Sequence, residues 1–151
     1  MWIAIGIFVV LAAFSIVWII AERRWDGRQF FQKKRGDFVI NIDAKSAIQL
    51  LAEQPETQPI DVRPEDKYRK SHIPRAVNCP LTQGEFDYSE IESTDRELPI
   101  LVYCDGGYRS RKAITHLTKL GFTSIYHLHR GIISWKLRGG NCDEEETAST
   151  S

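Results

Sequence analysis

The chain opens on an apolar run, residues 1–21, in which no position is charged. Beyond it, short apolar runs alternate with amphipathic stretches and turn residues. A helix rises about 1.5 Å per residue, so the opening run spans about 30 Å, the thickness of a bilayer's hydrocarbon core. A helix also satisfies its own backbone polar groups inside lipid. Trp2 near one end, with Trp18 and Trp25 near the other, suits the two interfaces. Residues 1–21 are therefore expected to form a transmembrane helix. A secretory leader is the alternative. It needs a basic start, a shorter apolar core and a small-residue cleavage site. Nothing basic precedes this run, and Ile19-Ile20-Ala21-Glu22-Arg23 is a poor cleavage site.

Residues 22–37 read as a basic juxtamembrane linker. They hold Arg23, Arg24, Arg28, Lys33, Lys34 and Arg35 against few acids. Lys and Arg beside a span resist translocation. The expectation is a single pass through the inner (plasma) membrane, with the N-terminus outside and the rest of the chain cytoplasmic. No G-x-x-x-G pattern suggests pairing of the span.

From Phe38 the pattern predicts a folded domain over 38–140. Phe38 to Ile42 reads as a strand, and Asp43 caps a helix whose stripe is Ala47, Ile48, Leu50 and Leu51. Pro59 to Arg63 is a strand, Glu65 to Lys70 a polar helix, and Ala76 to Cys79 a strand. Leu81 to Leu98 is polar and irregular, with room for a helical turn. Pro99 to Tyr103 is nearly all apolar, as a strand buried on both faces would be. Arg109 to Leu120 is a helix stopped by Gly121, and Ser124 to Leu128 a strand. Gly131 to Leu137 is a last helix with Trp135 as its anchor. Residues 141–151 are acidic and rich in Ser and Thr, and are expected to be disordered. Alternating strands and helices predict an α/β fold, a parallel sheet covered on both faces. Its ligand site should lie beyond the carboxyl ends of the strands.

Composition narrows this picture only in places. The 151 residues suit one ordinary domain, with 42% hydrophobic and 26% charged positions. The formal net charge is +0, which gives the chain no pull toward nucleic acid. Cys79, Cys104 and Cys142 are odd in number and show no C-x-x-C spacing. That disfavours a disulfide framework or a zinc site.

The candidate chemistry lies in Cys104-Asp105-Gly106-Gly107-Tyr108-Arg109, directly after the apolar strand. A cysteine is nucleophilic as its thiolate, which needs stabilisation at neutral pH. A loop from a strand to a helix N-terminus supplies N–H groups and the positive end of the helix dipole. Gly106 and Gly107 let those amides turn inward. Arg109 adds a forked cation suited to an oxyanion. Cys104 is thus the candidate catalytic residue, and Asp105, Gly106, Gly107, Tyr108 and Arg109 form the candidate substrate-binding loop.

With these residues in view, the chain resembles a single-domain rhodanese, the thiosulfate and persulfide sulfurtransferase family. The likeness covers roughly residues 38–140. Tyr103 to Ser110 resembles the family's active-site loop, with cysteine first and arginine sixth. Ile60-Asp61-Val62-Arg63 is similar to its D-V-R strand. His72 to Asn78 resembles its G-H-I-P-G-A-x-N motif, and Leu128 to Trp135 its closing L-x-G-G-x-x-x-W. Ser71, Arg75 and Arg130 stand where those motifs have glycine. The resemblance implies a five-stranded parallel sheet with helices on both sides, and Cys104 as the sulfur carrier. It implies double displacement. Cys104 takes sulfur from a small sulfur-donor anion, thiosulfate or a persulfide, and passes it to a thiol or cyanide acceptor. No cofactor or metal is expected, a protein partner is left open, and no general base is strictly required, which fits the absence of a nearby His or Glu motif.

Other polar residues are read structurally. Asp61 and Arg63 should form an ion pair that supports the fold. His72 should order a turn, and Arg111 should lie on the helix surface. His127 and His129 share one strand face, and packing or solvation explains them better than a metal. Cys79 is read as a core residue and Cys142 as incidental. Two alternative functions stay open. Cysteine phosphatases place five residues between cysteine and arginine, whereas four intervene here. A non-catalytic binding module on the same fold would have no need of Cys104 and Arg109.

Overall fold

A computed structural model describes residues 39–145. The expected membrane span, the basic linker and residues 146–151 of the expected tail lie outside the described residues. Among the described residues, no helix is long and apolar enough to cross a membrane.

The described chain runs β1 (Val39–Ile42), α1 (Ala44–Glu53), β2 (Gln58–Asp61), α2 (Glu65–Lys70) and β3 (Val77–Asn78). A small hairpin of β4 (Leu81–Thr82) and β5 (Glu85–Phe86) and a 3-10 turn (Ser89–Ile91) follow. β6 (Ile100–Tyr103), α3 (Tyr108–Lys119), β7 (Ile125–Leu128) and α4 (Gly131–Leu137) complete it. Five strands make one parallel sheet in the order β1-β7-β6-β2-β3. This matches the expected α/β architecture.

β6 lies at the centre and shows why its sequence is apolar throughout. Side chains on a strand alternate between faces. Ile100, Val102 and Cys104 join the core that packs under Ala113 and Leu117 of α3. Leu101 and Tyr103 join the opposite core with Ala47, Leu128, Ile132 and Trp135. Tyr103 is fully buried, and its hydroxyl is satisfied by accepting from the Ile73 N–H at 3.0 Å. Asp43 caps α1, as expected, by accepting from the Ser46 N–H at 2.8 Å.

The segment 81–98 is more ordered than its polar sequence suggested. Gln83 (φ 52°) and Gly84 (φ 90°) turn the β4–β5 hairpin with two consecutive positive φ angles. That is the pattern of a tight turn whose twist matches the flanking strands. The acidic segment also begins differently from expectation. Asp143 and His72 exchange backbone hydrogen bonds at 2.9 Å, and Glu145 N–H donates to Arg69 O at 2.9 Å. Trp135 Nε1 donates to Asn141 O at 2.8 Å, and Cys142 packs against the Trp135 core. Residues 141–145 are therefore a strap across α2, because backbone pairing and an indole anchor outweigh their polarity.

Asp61 and Arg63 do form a buried ion pair. Arg63 Nη2 lies 2.6 Å from Asp61 Oδ2, and Arg63 Nε lies 3.0 Å from both carboxylate oxygens. Arg63 Nη2 also donates to Ser71 O at 2.6 Å, which ties β2 to the end of α2. Removing one partner of such a pair strands a buried charge, at a cost of about 3–5 kcal/mol. Asp61→Ala should lose stability of that order in urea unfolding; a loss below about 1 kcal/mol would contradict the assignment.

Candidate active site

Cys104 directly follows β6 and lines a cleft, with 2% of its surface exposed. The cleft has a volume of about 620 Å³. One wall is the loop and the first turns of α3, through Asp105, Gly106, Tyr108, Arg109 and Lys112. The other is the hairpin, through Leu81, Gln83 and Gly84. The site thus lies at the carboxyl end of a central strand, as the fold class predicts.

The loop is shaped from behind by α4. Ile132 N–H donates to Cys104 O at 2.8 Å, and Ile133 N–H donates to Asp105 O at 3.3 Å. In a trans peptide unit the C=O and N–H point in opposite directions. Anchoring those two carbonyls on α4 therefore turns the following N–H groups, of Asp105 and Gly106, away from that helix. Gly107 N–H donates directly to Cys104 Sγ at 3.1 Å. α3 begins at Tyr108 with no side-chain cap, so its first N–H groups stay unclaimed by a capping side chain.

Two glycines make this approach possible. Gly107 has φ 96°, and a Cβ there would sit 2.0 Å from His129 O. Gly131 has φ 58°, and a Cβ there would lie 2.3 Å from both Cys104 O and Asp105 O. Gly106 differs from expectation: a Cβ there would meet nothing within 4 Å. The steric demand assigned to the Gly106-Gly107 pair falls on Gly107, because that residue is wedged against the strand-to-helix corner after β7.

The charged residues are arranged around Asp105. Its carboxylate lies 2.8 Å from Lys67 Nζ, 3.6 Å from Arg109 Nη1 and 3.7 Å from Arg63 Nη1. Partial burial opposes its charge, but the Lys67 hydrogen bond and the three cations outweigh that and hold its carboxyl below the usual range. The Asp105 side chain thus organises cations at the edge of the cleft that the residue lines. Arg109 is half-buried on the cleft wall. Tyr108 is 70% exposed, with Lys112 Nζ 4.9 Å from its ring centroid. Arg111 is exposed on the helix surface, as expected, and its Nε also donates to Gly107 O at 3.3 Å.

The sequence reading assigned no role here to Ser110, His127 or Asn41. Ser110 Oγ lies 3.5 Å from Cys104 Sγ and 2.9 Å from His127 Nε2. His127 Nδ1 lies 2.6 Å from Asn41 Oδ1. His127, read from the sequence as packed or solvated, is two hydrogen-bonding steps from the sulfur. Strand parity explains it. His127 stands two residues after Ile125, on the face of β7 that meets α3, and Asn41 is its register partner on β1. Ser110 lies one turn into α3. Hydropathy patterns carry no sign of this, since pairing of β1 with β7 is a tertiary fact. Among the described residues, no group of three or more His, Cys, Asp or Glu side chains is placed to hold a metal.

A family model for the rhodanese-like domain matches residues 43–138. The chain is 38% identical over 76 residues to the thiosulfate sulfurtransferase GlpE of Coxiella burnetii, covering 50% of this chain and 68% of that one. It is 36% identical over 85 residues to the tRNA uridine(34) hydroxylase of Wolbachia pipientis, covering 54% of this chain and 30% of that one. Among solved structures, the rhodanese-like domain of the Anabaena protein Alr3790 superposes with a TM-score of 0.61 at 25% identity. That superposition covers 73% of this chain and 83% of the Anabaena chain.

Two outcomes are expected. Gly131→Ala should lower both stability and the reactivity of Cys104, because φ is positive and the new methyl displaces the loop carbonyls. Unfolding and alkylation rates measured together would check this, and an unchanged alkylation rate would contradict it. His127 supplies a pH signature. Burial, then the charges of His129 and Arg111, push its pKa down from 6.5 to about 4. Unfolding restores the higher value, so the unfolded chain binds more protons between those limits. Stability from this residue is full above pH 6.5 and falls as pH drops toward 4, by about 3 kcal/mol at most. His127→Gln should flatten that limb in denaturant titrations across the window; an unchanged slope would contradict it.

Proposed function

This chain belongs to the rhodanese-like domain family, and we propose that it is a sulfurtransferase working through a persulfide on Cys104. The observation that carries the reading is the Gly107 N–H aimed at the Sγ of Cys104, which lines an open cleft with a cationic wall. Relatives named as sulfurtransferases support it, and so does the interval of four residues between Cys104 and Arg109.

Cys104 thiolate attacks the outer sulfur of thiosulfate. A new S–S bond forms, the bond to the sulfite sulfur breaks, and sulfite leaves with the electron pair. The enzyme then carries a terminal persulfide anion. An acceptor thiolate or cyanide attacks that terminal sulfur, and the electron pair of the breaking bond returns to Cys104. Charge and atoms balance at each step, and no cofactor enters. Backbone N–H groups of the loop and the unclaimed first turn of α3 meet the negative charge. Arg109 and Lys112 line the cleft, while the Asp105 charge is matched by Lys67 and Arg63. Dianion binding therefore faces no uncompensated carboxylate. The 620 Å³ cleft exceeds the needs of thiosulfate, which leaves room for a larger thiol in the second half-reaction.

We also propose that residues 1–21 anchor the chain in the inner membrane as a single pass, with the family domain on the cytoplasmic side. The charge-free apolar run and the six basic residues that follow support this. A reporter enzyme fused at the C-terminus that works only outside the cytoplasm should stay inactive; an active one would overturn the orientation.

Incubation of the full chain with thiosulfate should add the mass of one sulfur atom at Cys104, removed again by cyanide. Cys104→Ser should show no gain. Arg109→Ala should raise KM for thiosulfate by about tenfold or more, the loss of a charge-assisted contact. A wild-type protein that stays unmodified would sink the assignment, and cleavage of an aryl phosphate without sulfur uptake would replace it with a phosphatase.

A further inference from the structure

Ser110 and His127 are each 0% exposed, and together with Asn41 they form a hydrogen-bonded line that ends on Cys104 Sγ. A buried polar line of this kind has to be satisfied at every link. Ser110 has one hydroxyl hydrogen and three acceptors in reach: Gly107 O at 3.1 Å, His127 Nε2 at 2.9 Å and Cys104 Sγ at 3.5 Å. Where that hydrogen goes depends on which ring nitrogen of His127 is protonated.

With the Asn41 amide oxygen against Nδ1, that nitrogen carries the proton and Nε2 accepts. Ser110 then donates to Nε2 and turns a lone pair to the sulfur, which suits a thiol S–H. A half-turn of the Asn41 amide, which exchanges groups of nearly equal size, places Nδ2–H against Nδ1 instead. Nε2 is then the protonated nitrogen.

We propose that His127 is a positioning residue for the Cys104 sulfur, acting through Ser110. Protonated on Nε2, the ring donates to Ser110 Oγ and frees the Ser110 hydroxyl hydrogen for the sulfur when the sulfur is an anion. The inference rests on the sulfurtransferase reading for its purpose, since that chemistry cycles the sulfur through an anion. The protons balance. The net change on ionisation is one proton released from the sulfur to the cleft: Ser110 keeps one hydroxyl hydrogen, now directed at the sulfur, and the single ring proton of His127 shifts from Nδ1 to Nε2. The ring stays neutral before and after, in keeping with its pKa near 4. Between Gly107 O and a thiolate as acceptors, the charged one wins the hydroxyl. The sulfur then holds two donors, Gly107 N–H and Ser110 O–H.

The full chain, with no sulfur donor present, tests this through the rate at which iodoacetamide alkylates Cys104 at pH 7. Ser110→Ala and His127→Leu should each slow it about tenfold, the worth of one hydrogen bond to a charged group. The double variant should be no slower than the slower single one, because both changes break the same line. His127→Gln retains a donor and should stay within about threefold of wild type. In the unsubstituted protein, the 15N signals of the His127 ring should show Nε2–H while Cys104 is ionised and Nδ1–H once it is alkylated. The same tautomer in both forms, or variant rates equal to wild type, would overturn the inference. Thiosulfate loading is scored separately. Sulfur uptake with indifferent alkylation removes only the role of His127, whereas Ser110-dependent alkylation without sulfur uptake removes only the sulfurtransferase reading.

Discussion

The site depends on backbone contact between the cysteine loop and the N-terminus of α4. Two amides of α4 hold the carbonyls of Cys104 and Asp105, and this fixes the direction of the peptide units between Cys104 and Gly106. Side chains contribute little to that anchoring. It works because two backbone segments approach closer than a Cβ permits, at Gly107 and at Gly131. An oriented dipole is useful to a nascent anion only if it is already in place, since reorienting it afterwards would cost what it returns.

Electrostatics is layered on that frame. The sulfur receives dipoles at short range, while whole charges stand further out on the wall. Asp105 is the hub of the outer layer, linking α2 through Lys67, the turn after β2 through Arg63 and α3 through Arg109. Arg63 in turn is fixed by the buried Asp61. A carboxylate within the loop proposed to bind an anion would be a contradiction if it stood alone. Here three cations answer it, and it serves as their common tether.

The central strand, the capped helix after Asp43 and the cysteine loop were legible because each is local. A fully apolar strand, an aspartate before a helical stripe, or a glycine closing a turn declares itself within a few residues. Ser110, His127 and Asn41 were not legible because their relation spans 86 residues and exists only once β1 lies beside β7. His127 was read as a packed histidine, and packed it is; what its neighbours are is a matter of register. The hairpin was missed because Gln83 occupies a turn position that usually advertises itself with asparagine or glycine. The strap at 141–145 was missed because composition reports solubility and is blind to an available partner edge.

The hairpin carries a further consequence. It furnishes one wall of the cleft yet contributes no strand to the five-stranded sheet. The two walls of the cleft are thereby housed in separate parts of the molecule. A change at Gln83 or in the length of that turn would reshape one wall while leaving the backbone contacts behind Cys104 in place.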